Sequence, residues 1–174
     1  KKFGKVEVLN QLDLVIEQQG IFAILGPNGS GKTTLIKSLL GMVVPNKGDI
    51  LINGQLVKNQ FEYRNNINYL PQIANFPGNL SVLELIKMIR DIRKKPADDA
   101  HLIELFGLES HLKKKLAHLS GGTKQKVNLV LTFMFDSDLI ILDEPTSGLD
   151  PISVLRLKDL IMQEKQKGKT ILIT

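Results

Sequence analysis

Eight consecutive residues, Gly26-Pro27-Asn28-Gly29-Ser30-Gly31-Lys32-Thr33, satisfy G-x-x-x-x-G-K-[ST] at every fixed position. Glycines let the backbone curl so that successive N–H groups face one point, and a following helix adds the partial positive charge of its N-terminus. Lys32 can then reach the β- and γ-phosphates of a nucleotide, and the Thr33 hydroxyl can ligate Mg²⁺. A Gly-rich turn followed by chance by Lys-Thr is the plain alternative, but an apolar run precedes the motif and a helical pattern follows it. That context predicts binding of a nucleoside triphosphate. Further along, Leu139-Ile140-Ile141-Leu142 runs into Asp143-Glu144. An acidic residue at the tip of a strand beside the phosphate loop can hold Mg²⁺ through water, and a second carboxylate can polarise the attacking water. Without the phosphate loop, the pair would merely end a strand before Pro145. Asn46-Lys47-Gly48-Asp49 spells the guanine-reading N-K-x-D, but it follows the phosphate loop closely inside a Pro45/Gly48 turn, and no D-x-x-G occurs. It reads as turn chemistry.

These residues need strands that end at one place. Val6 to Leu9 and Leu12 to Glu17 read as short strands, and Ile21 to Leu25 as a strand buried on both faces. Lys32 to Met42 has helical spacing. Asp49 to Ile52 and Gln55 to Val57 flank Asn53-Gly54, a hairpin signal, and Ile67 to Leu70 is a strand ended by Pro71. From Ser81 to about Ala117 the apolar residues recur at three and four, as in Val82, Leu85, Ile86, Ile89 and Ile92. Ser81 and Glu84 suit a capping box, and Pro96 and Gly107 divide the stretch into two or three helices. A helix to Phe135, a strand at Leu139 to Leu142, a helix from Pro151 to about Lys167 and a strand at Thr170 to Ile173 complete the order. Alternation of this kind predicts an α/β fold: a P-loop NTPase core with a mainly parallel sheet and N-terminal antiparallel β elements. One domain is expected over residues 1–174, with 1–75 and 119–174 as the nucleotide-binding core and 76–118 as an inserted helical subdomain.

Composition narrows the class without choosing within it. The 174 residues are 43% hydrophobic and 24% charged, which excludes disorder, and the formal charge of +5 permits anionic partners while selecting none. No cysteine is present, so there is no disulfide framework or thiolate metal site. No run approaches the ~18 apolar residues of a membrane span. The densest, Val127 to Phe135, carries Asn128 and Thr132 and reads as a buried helix. No signal peptide is expected at Lys1-Lys2-Phe3-Gly4, which leads into strand-like sequence without an apolar run. Both ends look cut, so a C-terminally truncated fragment of a larger domain is expected.

Twenty-three residues before Asp143 stands Ser120, in Leu119-Ser120-Gly121-Gly122-Thr123. Alone it is an N-cap and a flexible turn. With the phosphate loop and Asp143-Glu144, the chain resembles the ATP-binding cassette (ABC) ATPases, the motor subunits of ABC transporters, whose signature is L-S-G-G-Q. The resemblance covers nearly the whole chain. It implies ATP and Mg²⁺ as ligands, with ATP held by Phe3 (stacked on adenine), Gly26, Pro27, Asn28, Gly29, Ser30, Gly31, Lys32, Thr33 and Thr34. It implies metal contacts from Thr33, Gln72 and Asp143, and catalytic roles for Glu144 and Gln72. It also implies a signature, Ser120, Gly121, Gly122 and Thr123, that contacts ATP on a partner subunit, and a dimer loop, Ser147, Gly148, Leu149 and Asp150. Read locally, Phe3 is a terminal packing residue, Gln72 a loop residue, and Asp150 an N-cap before Pro151.

The implied assembly is a head-to-tail dimer, a homodimer or a pair with another ABC ATPase subunit, driving transmembrane permease subunits from the cytoplasmic face of the cell membrane. No direct nucleic-acid contact is expected. Two departures stand out. Thr123 replaces the signature Gln, and the switch histidine that follows the last strand in the family is not reached. His101, His111 and His118 cannot stand in for it, so weak or absent turnover with retained ATP binding is expected of these 174 residues. The L-S-G-G-T-K-Q-K form is similar to the ABC-2 export group, including ATPases associated with copper processing. Lys87, Arg90, Arg93, Lys94, Lys95 and Lys113 to Lys115 read as a solvated face, with anionic lipid as the functional alternative. Phe76-Pro77 could line a cleft for a transporter helix or pack on the insertion. Competing functions are a soluble ABC-type ATPase acting on DNA or ribosomes, and a nucleotide-gated binding module. About 85 residues separate phosphate loop and signature, without the heptads of a DNA-maintenance coiled coil.

Overall fold

A computed structural model describes residues 1–174. In chain order the elements are β1 (Lys2–Phe3), β2 (Val6–Glu7), β3 (Gly20–Ala23), α1 (Lys32–Leu39), β4 (Leu51–Ile52), β5 (Gln55–Leu56), β6 (Ile67–Leu70), α2 (Val82–Arg93), α3 (Asp99–Phe106), α4 (Gly121–Phe133), β7 (Leu139–Leu142), α5 (Pro151–Gln166) and β8 (Thr170–Ile173). The central sheet is four-stranded and parallel, in the order β3-β8-β7-β6, and two antiparallel ribbons, β1-β2 and β4-β5, flank it. This is a mixed α/β fold.

The strands are short apolar runs because both faces of the sheet are covered. Side chains alternate between two cores, as the period of two requires. Ile140, Leu142 and Ile171 face a large cluster shared with α2, α3, α4 and α5. Ile141, Leu172 and Ile67 face a smaller one closed by Ile36 and Leu40 of the α1 segment and by Val57 and Tyr63. The helices between 82 and 106 have no core of their own: Leu85, Ile86 and Phe106 belong to the same cluster as Val127 and Val130 of α4.

Local chemistry sets the helix ends. Ser81 and Glu84 form a reciprocal capping box on α2, and α3 stops at Gly107. Asp150 caps α5 by accepting from the Ser153 N–H at 2.9 Å, with Pro151 in the first turn.

Three expectations are corrected. Leu12 to Glu17 is not a strand; no neighbouring edge pairs with it, and Leu12, Leu14 and Val15 are exposed. The run Ile21 to Leu25 is not buried on both faces. Its strand β3 is an edge strand paired only with β8, Ile21 is exposed, and Leu25 is 87% exposed. Helix α1 ends at Leu39 rather than Met42, because Gly41 takes a left-handed φ of 66° just beyond its cap.

The basic face is only partly solvated. Arg93 turns inward, donating to Asn68 Oδ1 at 3.0 Å and the Ile67 carbonyl at 3.2 Å, with its guanidinium over the Phe135 ring. Burial lowers the pKa of that guanidinium from its ordinary value. Arg90 pairs with Asp99 at 3.3 Å, and Lys95 donates to the Asn65 carbonyl at 2.7 Å. Phe76 packs half-buried against the large core.

Candidate nucleotide site

Parallel strands deliver their C-terminal ends to one side of the sheet, and four chain segments meet there: the loop after β3, Pro71-Gln72 after β6, Asp143-Glu144 after β7 and Thr174 after β8. The carboxylate strand β7 is not the sheet neighbour of β3, since β8 lies between them. Asp143 still reaches the phosphate loop, because Thr33 Oγ1 donates to its Oδ2 at 3.4 Å. The intervening strand takes part: Thr174 Oγ1 donates to Asp143 Oδ1 at 2.6 Å and accepts from the Glu144 N–H at 3.0 Å. Asp143, 2% exposed, is thus held from both sides by hydroxyls. Burial first, and the charge of Asp143 second, raise the pKa of the Tyr69 phenol next to it.

The next residue, Glu144, has a φ of +49°, a left-handed conformation uncommon away from glycine. Such strain persists where the surroundings over-determine it. Here the Glu144 N–H is held by Thr174, and its Oε2 accepts from Gln72 Nε2 at 2.8 Å. Carboxylate and amide face one another beside the buried Asp143, an arrangement able to orient a water molecule.

The loop from Gly26 to Gly31 opens α1, whose cap is Gly31 at φ +96°. A side chain there would also lie 3.0 Å from the Val8 carbonyl, so the glycine is required by both conformation and close approach. Lys32 Nζ arches back to donate to the Gly26 and Pro27 carbonyls at 2.8 and 3.0 Å, placing its charge over the loop. Helix N-terminus, lysine and a glycine-rich loop are together here, the parts from which an anion cradle can be built. The nearby donors, a hydroxyl, an amide oxygen and a carboxylate, are all oxygen, which suits a hard cation such as Mg²⁺.

Ser120 caps α4, its Oγ accepting from the Thr123 N–H at 3.2 Å and lying 2.8 Å from Thr123 Oγ1. Residues 120–123 make no hydrogen bond to the phosphate loop of the same chain. They lie instead against Ser147 to Asp150: a Cβ on Gly122 would fall 2.7 Å from the Gly148 carbonyl oxygen. Lys126, one turn along α4, pairs with Asp150 at 2.7 Å. Hydrogen bonds from Lys126 first and then Ser153 hold the Asp150 carboxyl well below its ordinary pKa.

Phe3 is not brought to the loop by any contact of its own; the residue is 49% exposed and its ring lies under Lys1 Nζ at 5.1 Å. His101, His111 and His118 lie away from the site, His111 beside Ser110. Sequence reading missed Thr174, Lys126, Gln125 and Asn128. A polar residue ending an apolar strand was the available signal for the first. Polar interruptions of an apolar helix were the signal for the last two.

Residues 9–147 match the family described as ABC transporter. Over its full length the chain is 34% identical to the Nod factor export ATP-binding protein I of Burkholderia lata, and 35% identical to the bacitracin transport ATP-binding protein BcrA of Bacillus licheniformis. It spans 59% and 58% of those proteins. It is 31% identical to the ABC transporter ATP-binding protein YybJ of Bacillus subtilis, of which it covers 81%. Among solved structures, an ATP-binding subunit of an ABC transporter superposes with a TM-score of 0.89 at 32% identity, covering 98% of this chain and 74% of that one.

Proposed function

The chain belongs to the ABC transporter family of ATP-binding subunits, and from that premise we propose that it binds Mg-ATP and hydrolyses it to drive a transporter, with Glu144 as the base. The family assignment favours this over action on DNA or ribosomes. The observation that carries the chemistry is the Gln72–Glu144 hydrogen bond beside an Asp143 held between Thr33 and Thr174.

Gly26 to Thr34 cradle the phosphates, and Lys32 exchanges two loop carbonyls for β- and γ-phosphate oxygens. Thr33, Asp143 and Gln72 would hold Mg²⁺, which when bound would offset charge on the phosphates. As water attacks the γ-phosphorus and the bond to the bridging oxygen breaks, releasing ADP and inorganic phosphate, Glu144 accepts the proton of the water, and Gln72 fixes the direction of its carboxylate. Phe3 contributes an apolar face for adenine.

Ser120, Gly121, Gly122 and Thr123 present a helix N-terminus to the ATP held by a second subunit, homologous or identical, in a head-to-tail dimer. Their separation from the phosphate loop within one chain supports this. Ser147 to Asp150, wedged against the signature, line the same interface. No helix is long and apolar enough to cross a membrane. In this reading the transport path belongs to permease subunits that the dimer meets at the cytoplasmic face, which the export and transport roles in the relatives' names support.

Mg-ATP turnover of the full-length chain, measured against protein concentration, tests this reading. Turnover should rise more steeply than linearly, and Glu144→Gln should lower kcat by about 10²-fold or more while ATP still binds. Equal turnover in the variant would remove Glu144 from the chemistry.

A further inference from the structure

One stripe of α4 is polar and buried. Gln125, Asn128 and Thr132, at spacings of three and four, are 5, 4 and 4% exposed among fully buried Val127, Leu129 and Val130. Buried amides are retained only where their hydrogen bonds are met. Asn128 Nδ2 donates to the Pro71 carbonyl at 3.1 Å and to Gln125 Oε1 at 3.4 Å. Gln125 Nε2 in turn donates to the Pro145 carbonyl at 3.4 Å. Pro71 immediately precedes Gln72, and Pro145 immediately follows Glu144. Since Gln72 and Glu144 are themselves hydrogen-bonded, the path closes on itself: Glu144, Pro145, Gln125, Asn128, Pro71, Gln72 and back.

We propose that Gln125 and Asn128 are positioning residues that join the signature end of α4 to the Gln72–Glu144 pair of the same chain. This rests on the function proposed above. The helix whose N-terminus meets the ATP of the partner holds, on its inner face, both carbonyls that flank the local catalytic pair. A shift of α4 on closure moves Pro71 and Pro145 together, so each ATP site senses occupancy of the other. Thr132, bonded to the Asn128 carbonyl at 2.8 Å, steadies the stripe and stands outside the relay.

Asn128→Leu keeps the branched heavy-atom shape, with bulkier methyl ends, and removes the amide; Gln125→Met removes it at the other member with an unbranched side chain of similar length. In the full-length chain each should lower kcat about tenfold with the KM for ATP within about twofold of wild type, since positioning acts on the reacting geometry rather than on binding. Steepness of turnover with ATP concentration should fall in both. The double variant should lose no more than the worse single one, as members of one relay do. Unfolding curves recorded alongside separate lost fold from lost geometry, and if Asn128→Leu does not fold, Gln125→Met carries the test. Wild-type kcat and steepness in either folded variant, or fully multiplicative losses in the double, would overturn the relay. Absence of Glu144-dependent turnover in the wild type would overturn the proposed function and the relay with it.

Discussion

Asp143 has a hydroxyl on each side, and the two do different work. Thr33 comes from the helix that follows the phosphate loop, whereas Thr174 comes from β8 and also takes the Glu144 N–H. Replacing Thr174 by Val keeps its shape and leaves that part-buried N–H and one carboxylate oxygen short of a partner, each worth at most about 1–3 kcal/mol. Thr174→Val should therefore raise the Mg²⁺ concentration needed for half-maximal turnover several-fold while leaving nucleotide binding without metal unchanged. An unchanged Mg²⁺ titration would show that Thr174 only fills space. At Gly122 the constraint is steric. An added methyl meets the Gly148 carbonyl oxygen at 2.7 Å, so α4 and the 147–150 loop would have to part. Overpacking of this kind costs about 1–3 kcal/mol. Gly122→Ala should lower the urea midpoint accordingly and weaken ATP-dependent dimerisation of a Glu144→Gln chain, both readable by unfolding and light scattering. A variant that dimerises as well as its parent would contradict the contact.

Among the elements, the strand starts at the opposite end of the sheet are tied by charge. Lys169 lies between Asp136 at 2.6 Å and Glu164 at 2.5 Å, and Lys167 also reaches Glu164. Burial alone would lower the Lys169 pKa, but the two carboxylates outweigh it and raise it; the Lys169 hydrogen bond lowers that of Asp136. A raised lysine contributes stability that is whole below its ordinary pKa and lost as pH rises through the higher folded one. A depressed aspartate contributes stability that is whole above its ordinary pKa and lost as pH falls through the lower folded one. The pairing is thus complete from about pH 5 to 9 and weakens beyond both limits. Lys169→Met should cost about 2–4 kcal/mol near neutrality, with the gap to wild type narrowing as pH falls from 5 towards 3. A gap that stays constant would show that packing, not charge, holds this end.

Strands β6, β7 and β8 were legible to the residue because a proline, a carboxylate pair or a glycine-bounded turn closes each run. Their order was not, since β8 separates β7 from β3 through long-range pairing that no local pattern encodes. The exposure of β3 follows from the same fact. Asn128 and Thr132 could be seen to interrupt an apolar helix, but their partners are backbone carbonyls, which leave no mark in the sequence.

At the scale of the molecule, the phosphate loop and the carboxylates face one another within a single chain, while the signature faces outward beside the 147–150 loop. On the proposed reading, one chain supplies two halves of different sites, and a head-to-tail pair would complete both. Complementation between two inactive chains tests this most directly. Lys32→Ala removes the phosphate charge, and Ser120→Arg blocks the signature; in homodimers of either, both composite sites are damaged. A mixed dimer keeps one intact site, formed by the phosphate loop of the Ser120→Arg chain and the signature of the Lys32→Ala chain. Mg-ATP turnover should be near zero for each full-length variant alone and return in an equal mixture to at most about a quarter of wild type, since random pairing makes half the dimers mixed and each keeps one site of two, with coupling between the sites lowering it further. A mixture as inactive as its components, or full activity in Ser120→Arg alone, would contradict a site shared between two chains.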